Sequence, residues 1–331
     1  MVTDLRPESP PGTSLKSLVN GFVLTKQTEG KSPRTIEFYS ENLKRFLWYA
    51  QKQGWTDDIR MLTAWQIKEF LGYVGSETHR WELHGNSSES SLGKASHTTV
   101  HHYFVAISCL FNWVIKEGFL KDNPLTHIKV AKPKPKVIIP YSQEEIKNML
   151  AVCDYDFQHN AKFLACRNQA MILTLLDSGV RLSELVGITL NDIDTEKGWL
   201  KIRGKGSKER IVRVGKTTQK AIWRYCVYRP KNGRQELWLS EEGKPLAASG
   251  VQSLIQRLME RAGITSDGST HRFRHTFALN FLRADKNVFN LQYLLGHSDL
   301  DMVRRYTSTL GMEDALKAHE KASPVDLMCL K

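Results

Sequence analysis

The chain has little of what an extracellular or membrane protein needs. Its 331 residues hold five cysteines, Cys109, Cys153, Cys166, Cys226 and Cys329. They are odd in number, widely spaced and form no CxxC pair. That pattern excludes a disulfide framework and a cysteine-based zinc site, and predicts reduced thiols. No stretch reaches the roughly 18 consecutive apolar residues of a membrane span, and no basic segment leads into an apolar run at the N-terminus. A soluble, cytoplasmic protein with no membrane partner is expected. The adjacent His101 and His102 have no cysteine or carboxylate at ligand spacing, so no metal is expected there.

Acidic residues are also scarce: 35 Asp and Glu stand against 47 Lys and Arg, a formal net charge of +12. The excess favours a polyanionic partner, nucleic acid first. An anionic membrane fits less well, because no single helix is both basic and strongly amphipathic. The length suits two domains, and the 41% hydrophobic content suffices for a core in each.

Residues 1–12 hold three prolines and read as a flexible arm. Helical periodicity then begins with Leu15, Leu18, Val19, Phe22 and Val23. Ser32-Pro33 starts a second helix through Ile36, Tyr39, Leu43, Phe46, Leu47 and Ala50. A third begins near Thr63 with Trp65, Ile67, Phe70, Leu71 and Val74. Residues 76–97 are polar and read as a long loop. Helix resumes from Thr98 to near Gly118. Lys132-Pro133-Lys134-Pro135-Lys136 is an extended basic linker, which serves equally as a spacer or a phosphate contact. The expected division is an arm at 1–12, a helical domain at 13–130, a linker at 131–138, a second domain at 139–322 and a tail at 323–331.

In the second domain, Ser142 to Glu145 signals a helix start. A long apolar helix around Ala170–Leu176 runs into Gly179-Val180-Arg181. Residues 199–215 alternate apolar and basic as a hairpin, with Gly204 and Gly206 in the connection. A helix near 217–228, a short strand at Leu237–Leu239 and a helix near 249–262 follow. Next come a helix with His271 and Arg274, then an elbow. There Gly296 closes one helix, and Ser298 with Asp301 can cap another that carries Tyr306. Overall the pattern is mainly α with a small β-sheet.

The charged residues at special places are Arg181 after a tight turn, Lys205 between two glycines, His271 and Arg274 at i, i+3, His297 in the elbow, and Tyr306 beyond it. Singly, each has an ordinary use. Arg181 can pair with Glu184, a glycine-flanked lysine is often a solvated turn, and an i, i+3 His/Arg pair is often a surface face. Together they form a cationic set with a tyrosine and no carboxylate cluster. Metal-dependent phosphoryl transfer needs several carboxylates. Cationic side chains can stabilise phosphate charge directly, arginine best because its guanidinium forks onto two oxygens.

These residues, in this order, resemble the tyrosine recombinases of the phage integrase family, with the catalytic half closest to Xer-type members. The first-arginine box matches Ser178-Gly179-Val180-Arg181-Leu182-Ser183-Glu184-Leu185, with Ser178 where threonine is usual. The hairpin lysine matches Gly204-Lys205-Gly206-Ser207-Lys208-Glu209-Arg210, the HxxR box His271-Arg272-Phe273-Arg274-His275, and the last box Leu295-Gly296-His297-Ser298-Asp299-Leu300 with Tyr306. The resemblance covers roughly residues 12–320, is only architectural in the first domain, and includes no separate arm-binding domain before residue 12. It implies a helical, SAM-like core-binding domain and a catalytic domain that clamp DNA. It further implies site-specific cleavage and rejoining through a 3′-phosphotyrosyl link, with no metal, ATP or other cofactor. Tyr306 would be the nucleophile, Arg181 and Arg274 the phosphate clamp, Lys205 the acid, His271 the base and His297 a phosphate donor. Glu184 would support Arg181. Lys132, Lys134, Lys136, Lys208 and Arg210 are the expected DNA contacts. The partners would be double-stranded recombination sites and three further copies in a tetramer, with room for a related recombinase or accessory factor. The apolar tail could pack on a neighbour or fold back. The alternatives are a type IB topoisomerase and a non-catalytic DNA-binding protein of the same fold.

Overall fold

The computed structural model describes residues 12–77, 93–133, 139–194, 196–204, 209–266, 270–296, 306–307 and 319. Lys134, Lys136, Lys205, Lys208, His297, Ser298, Asp301, residues 1–11, most of 76–97 and the tail lie outside them. The chain divides into two compact units, Met1–Pro135 and Lys136–Lys331. The architecture is mainly helical with one small sheet.

The first unit is built from α1 (Leu15–Thr28), α2 (Pro33–Lys52), α3 (Ala64–Ser76) and α4 (His97–Lys116). Each starts on a hydroxyl cap: Ser14, Ser32, Thr63 and Ser96 accept from backbone N–H groups one turn on. Leu15, Leu18, Val19, Phe22 and Val23 are all buried, as the periodicity of α1 predicts. Phe46, Phe70 and Tyr103 stack edge to face at 5.1 and 5.4 Å and join α2, α3 and α4. Trp65 departs from the reading. It is 75% exposed, because it lies two residues, about 200° of helix, from the buried stripe Ile67, Phe70, Leu71 and Val74.

The second unit is organised on α6 (Lys162–Ser178), which packs against α5 (Gln143–Gln158), α8 (Lys216–Tyr228) and α10 (Thr270–Asp285). A helix surrounded on this many sides buries residues of both kinds: Ala165, Ala170, Met171, Ile172 and Leu175 are buried, and so are Arg167, Asn168 and Thr174. Gly179 ends α6 in the left-handed region at φ 60°. A Cβ there would run into the Phe277 ring and the Leu295 side chain, so glycine is required twice over. The chain then forms α7 (Leu182–Val186) and an antiparallel sheet of β1 (Ile193–Asp194), β2 (Trp199–Arg203) and β3 (Glu209–Arg213), in that order. The hairpin was expected; β1, at two residues, is too short to alternate.

The segment Leu237–Leu239 is not a strand. It makes isolated bridges at its flanks, Thr189 with Glu236 and Leu239 with Pro245. The Leu237 carbonyl is taken instead by the Tyr225 hydroxyl and Arg229 Nε. After α9 (Ala248–Arg261), α10 is pinned to the start of the unit. Arg272 donates to the Ile139 and Pro140 carbonyls and to Glu145, with its guanidinium 4.0 Å from the Tyr141 ring centroid. Finally α11 (Val288–Leu295) ends at Gly296, again left-handed at φ 62°.

Candidate active site

Four of the six residues expected to carry the chemistry are described: Arg181, His271, Arg274 and Tyr306. Gly179 turns the chain sharply off α6, which sets Arg181 at the start of α7 with its side chain 37% exposed. Arg274 enters from α10 and is buried. It donates from Nη1 to the Gly179 carbonyl at 2.6 Å and from Nη2 to the Leu295 carbonyl at 2.8 Å. One guanidinium thus joins the turn before Arg181 to the end of α11.

Glu184 lies under both the first box and the hairpin. Its Oε1 and Oε2 accept from Arg181 Nη1 at 3.0 Å and from the Arg181 backbone N–H at 2.8 Å. Arg210 donates to the same oxygens at 2.9 and 2.8 Å. Burial opposes the carboxylate's charge, but the Arg210 hydrogen bonds, the Arg181 N–H and the two guanidinium charges outweigh it and hold the group down to about 2. The pairing of Arg181 with Glu184 is present, so the structural use and the expected supporting contact coincide. Arg210 is placed otherwise than expected. Its side chain is only 10% exposed and donates to Glu184 and the Leu294 carbonyl. Lys132 is exposed in the first unit.

Arg274 carries its charge at a cost. Burial, and then the Arg181 charge, lower it to about 10, while Tyr306 and Glu184 act the other way. It remains protonated at neutral pH. Two guanidiniums on the Glu184 carboxylate, with that of Arg274 close to Arg181, leave positive charge in excess among the described residues, and such a site favours an anion.

Tyr306 sits on helical backbone at 306–307 and is 1% exposed. It belongs to one buried cluster with Ala278, Leu279, Leu282, Leu291 and Leu295. Its hydroxyl oxygen lies 3.1 Å from His275 Nδ1. His271 is exposed one turn earlier on the same helix. The tyrosine therefore lies against its own chain's α10. His275 was not among the expected site residues, although it stands four residues after His271, a spacing that puts both on one helix face. Burial, followed by the charges of His271 and Arg274, lowers His275 to about 4.

The native state thus holds His275 neutral where the unfolded chain protonates it near 6.5. Between those values the unfolded chain binds more protons, so stability rises with pH. Acidification from pH 7 to 4 should cost up to about 3 kcal/mol through this group. Urea unfolding across that range should show the loss, and His275→Asn should flatten it. An unchanged slope in the variant would remove His275 as its source.

The phage integrase family model matches residues 141–311, more than half of the chain. A tyrosine recombinase XerC of Leptospira interrogans is 28% identical over 314 residues, covering 94% of this chain and 94% of that protein. A tyrosine recombinase XerD of Halalkalibacterium halodurans is 25% identical over 287 residues, with 85% and 89% covered. Among solved structures, the XerH site-specific recombinase bound to palindromic difH substrate, in a post-cleavage complex, shares the fold with a TM-score of 0.69. It is 20% identical, with 94% of this chain and 85% of that chain covered. On the matched residues, this chain belongs to the phage integrase family.

Proposed function

We propose that this chain, a tyrosine-type site-specific DNA recombinase, cuts and rejoins DNA through a covalent 3′-phosphotyrosyl intermediate, with neither metal nor ATP. The observation that carries the mechanism is the cluster of Arg181, Arg274 and the Tyr306 hydroxyl in one chain, with His275 of α10 at that hydroxyl and His271 one turn away on the same helix.

Tyr306 attacks the scissile phosphorus through its hydroxyl oxygen. The Tyr O–P bond forms, the P–O5′ bond breaks, and the tyrosine proton passes to His271. Lys205 protonates the departing 5′ oxygen. Arg181 and Arg274 hold the non-bridging oxygens, where charge accumulates, and His297 adds a hydrogen bond. The phosphodiester energy is kept in the new link, so a 5′-hydroxyl can reverse the step on the exchanged strand. Lys132, Lys134, Lys136 and Lys208 contact the duplex backbone. Four copies act on two synapsed sites, as the exchange of strands between two duplexes requires.

The test uses nicked suicide duplexes tiled across the DNA flanking the gene, incubated with the full chain in chelator and without nucleotide. One duplex should yield a covalent protein–DNA adduct, with the modified peptide containing Tyr306. No adduct on any duplex, or an adduct that requires divalent metal, would overturn the mechanism. Relaxation of supercoiled plasmid with no paired-site product would favour the topoisomerase alternative.

A further inference from the structure

Arg210 occupies a position that joins three parts of the site. Its guanidinium makes two hydrogen bonds to Glu184, at 2.9 and 2.8 Å, and Glu184 in turn holds the Arg181 side chain and backbone. Its Nε donates to the Leu294 carbonyl at 2.9 Å. Its side chain lies over Gly296, where an added Cβ would come within 3.1 Å of Nη1 and 3.2 Å of Cδ. It belongs to β3, paired with Ile202 of β2, and so stands just beyond the connection that carries Lys205.

The end of α11 explains why a cation is wanted there. The last four carbonyls of a helix have no partner within it, and they carry its partial negative charge. Two of them at this end, Leu294 and Leu295, are taken by Arg210 and Arg274. The elbow that follows leads to His297 and Tyr306. Arg210 thus fixes where this elbow leaves the helix, and fixes it relative to Arg181.

We propose that Arg210 is a positioning residue for strand cleavage, which registers the Gly296 elbow and the lysine hairpin against Arg181, and that it is not a DNA contact. The proposal rests on the mechanistic reading of Arg181 and Tyr306 above. Only arginine can serve. Lysine supplies a charge to Glu184, but its ammonium cannot fork onto both carboxylate oxygens while a second nitrogen reaches Leu294.

The experiment compares Arg210→Lys and Arg210→Met with wild type in the full chain, on the duplex that gives the wild-type adduct. Three quantities are read: duplex affinity over a salt series, single-turnover adduct formation well below the melting temperature, and urea stability. Affinity and its salt slope should match wild type in both variants, since loss of a phosphate contact lowers the slope by about 1. Adduct formation should fall on the order of 10- to 100-fold in both, by analogy with misplaced catalytic groups. Lysine should recover stability relative to methionine without recovering cleavage, a split that a purely structural role would not produce. Wild-type cleavage by the lysine variant would overturn the proposal, as would a reduced salt slope with cleavage lost only through affinity. Should the methionine variant fail to fold, the lysine variant decides. Tyr306→Phe runs beside them: an adduct from that protein would sink the reading of the nucleophile, whatever Arg210 does.

Discussion

Tyr306→Phe should give a protein that folds, binds duplex DNA as wild type does, and forms no covalent adduct. Tyr306 belongs to one buried cluster with Ala278, Leu279, Leu282, Leu291 and Leu295, and phenylalanine keeps its ring. Only the hydroxyl is lost, and with it the 3.1 Å contact to His275 Nδ1. That loss should cost about 1–3 kcal/mol of stability, because a part-buried imidazole nitrogen loses a partner. The chemical loss is of another order. On the proposed mechanism the lost oxygen is the attacking atom, and nucleophile knockouts in covalent enzymes lower turnover on the order of 10⁶-fold. Gel-resolved adducts on the suicide duplex, read beside a band-shift titration, measure both halves. Retained adduct formation would mean that another residue attacks.

Arg274→Lys should slow cleavage strongly without abolishing it, for two reasons that reinforce each other. The guanidinium is held by the Gly179 and Leu295 carbonyls at 2.6 and 2.8 Å, so its plane is set before any phosphate arrives. It is also held at about 10, first by burial and then by the charge of Arg181. That depression, from an ordinary 12.5, corresponds to about 3 kcal/mol of native-state cost. By linkage this cost is present at neutral pH and relieved only as pH rises through 10. A lysine cannot span both carbonyls and still fork onto the phosphate. The expected loss is on the order of 10²–10³-fold in single-turnover cleavage, or about 3–4 kcal/mol. Stability should fall by about 1–3 kcal/mol, since a lysine leaves the Gly179 or the Leu295 carbonyl without its donor. A rate within tenfold of wild type would show that Arg274 is chiefly structural.

Much of the site was legible along the chain because its residues sit beside local markers. Gly179 and Gly296 mark left-handed helix ends, and each stands within two residues of an expected catalytic side chain. Ser32-Pro33, Thr63 and Ser142 mark helix starts through short-range hydrogen bonds, and their helices begin where the caps predict. Features that failed to read were those whose meaning is set by distant partners. Leu237–Leu239 has strand composition, yet side chains from α8 satisfy its carbonyl. Trp65 looks like core, yet its position on α3 turns it to solvent.

Arg210 and His275 show where the boundary falls. Both stand within the matched motifs, and from the sequence alone Arg210 is a basic residue on a hairpin of a strongly basic chain, and thus a DNA contact. Its neighbours in space, Glu184 and Leu294, are 26 and 84 residues away, and no local pattern reports them. His275 acquires its partner across 31 residues in the same way. The sequence by itself determined the family, the helices and their caps, and the kinds of side chain available for phosphate chemistry, because each of these is written in spacing and local propensity. Only the tertiary structure decided that Arg210 is turned inward onto Glu184 and the Leu294 carbonyl, and that His275 is the histidine that meets the tyrosine hydroxyl. Those outcomes depend on which charges burial brings within hydrogen-bonding distance.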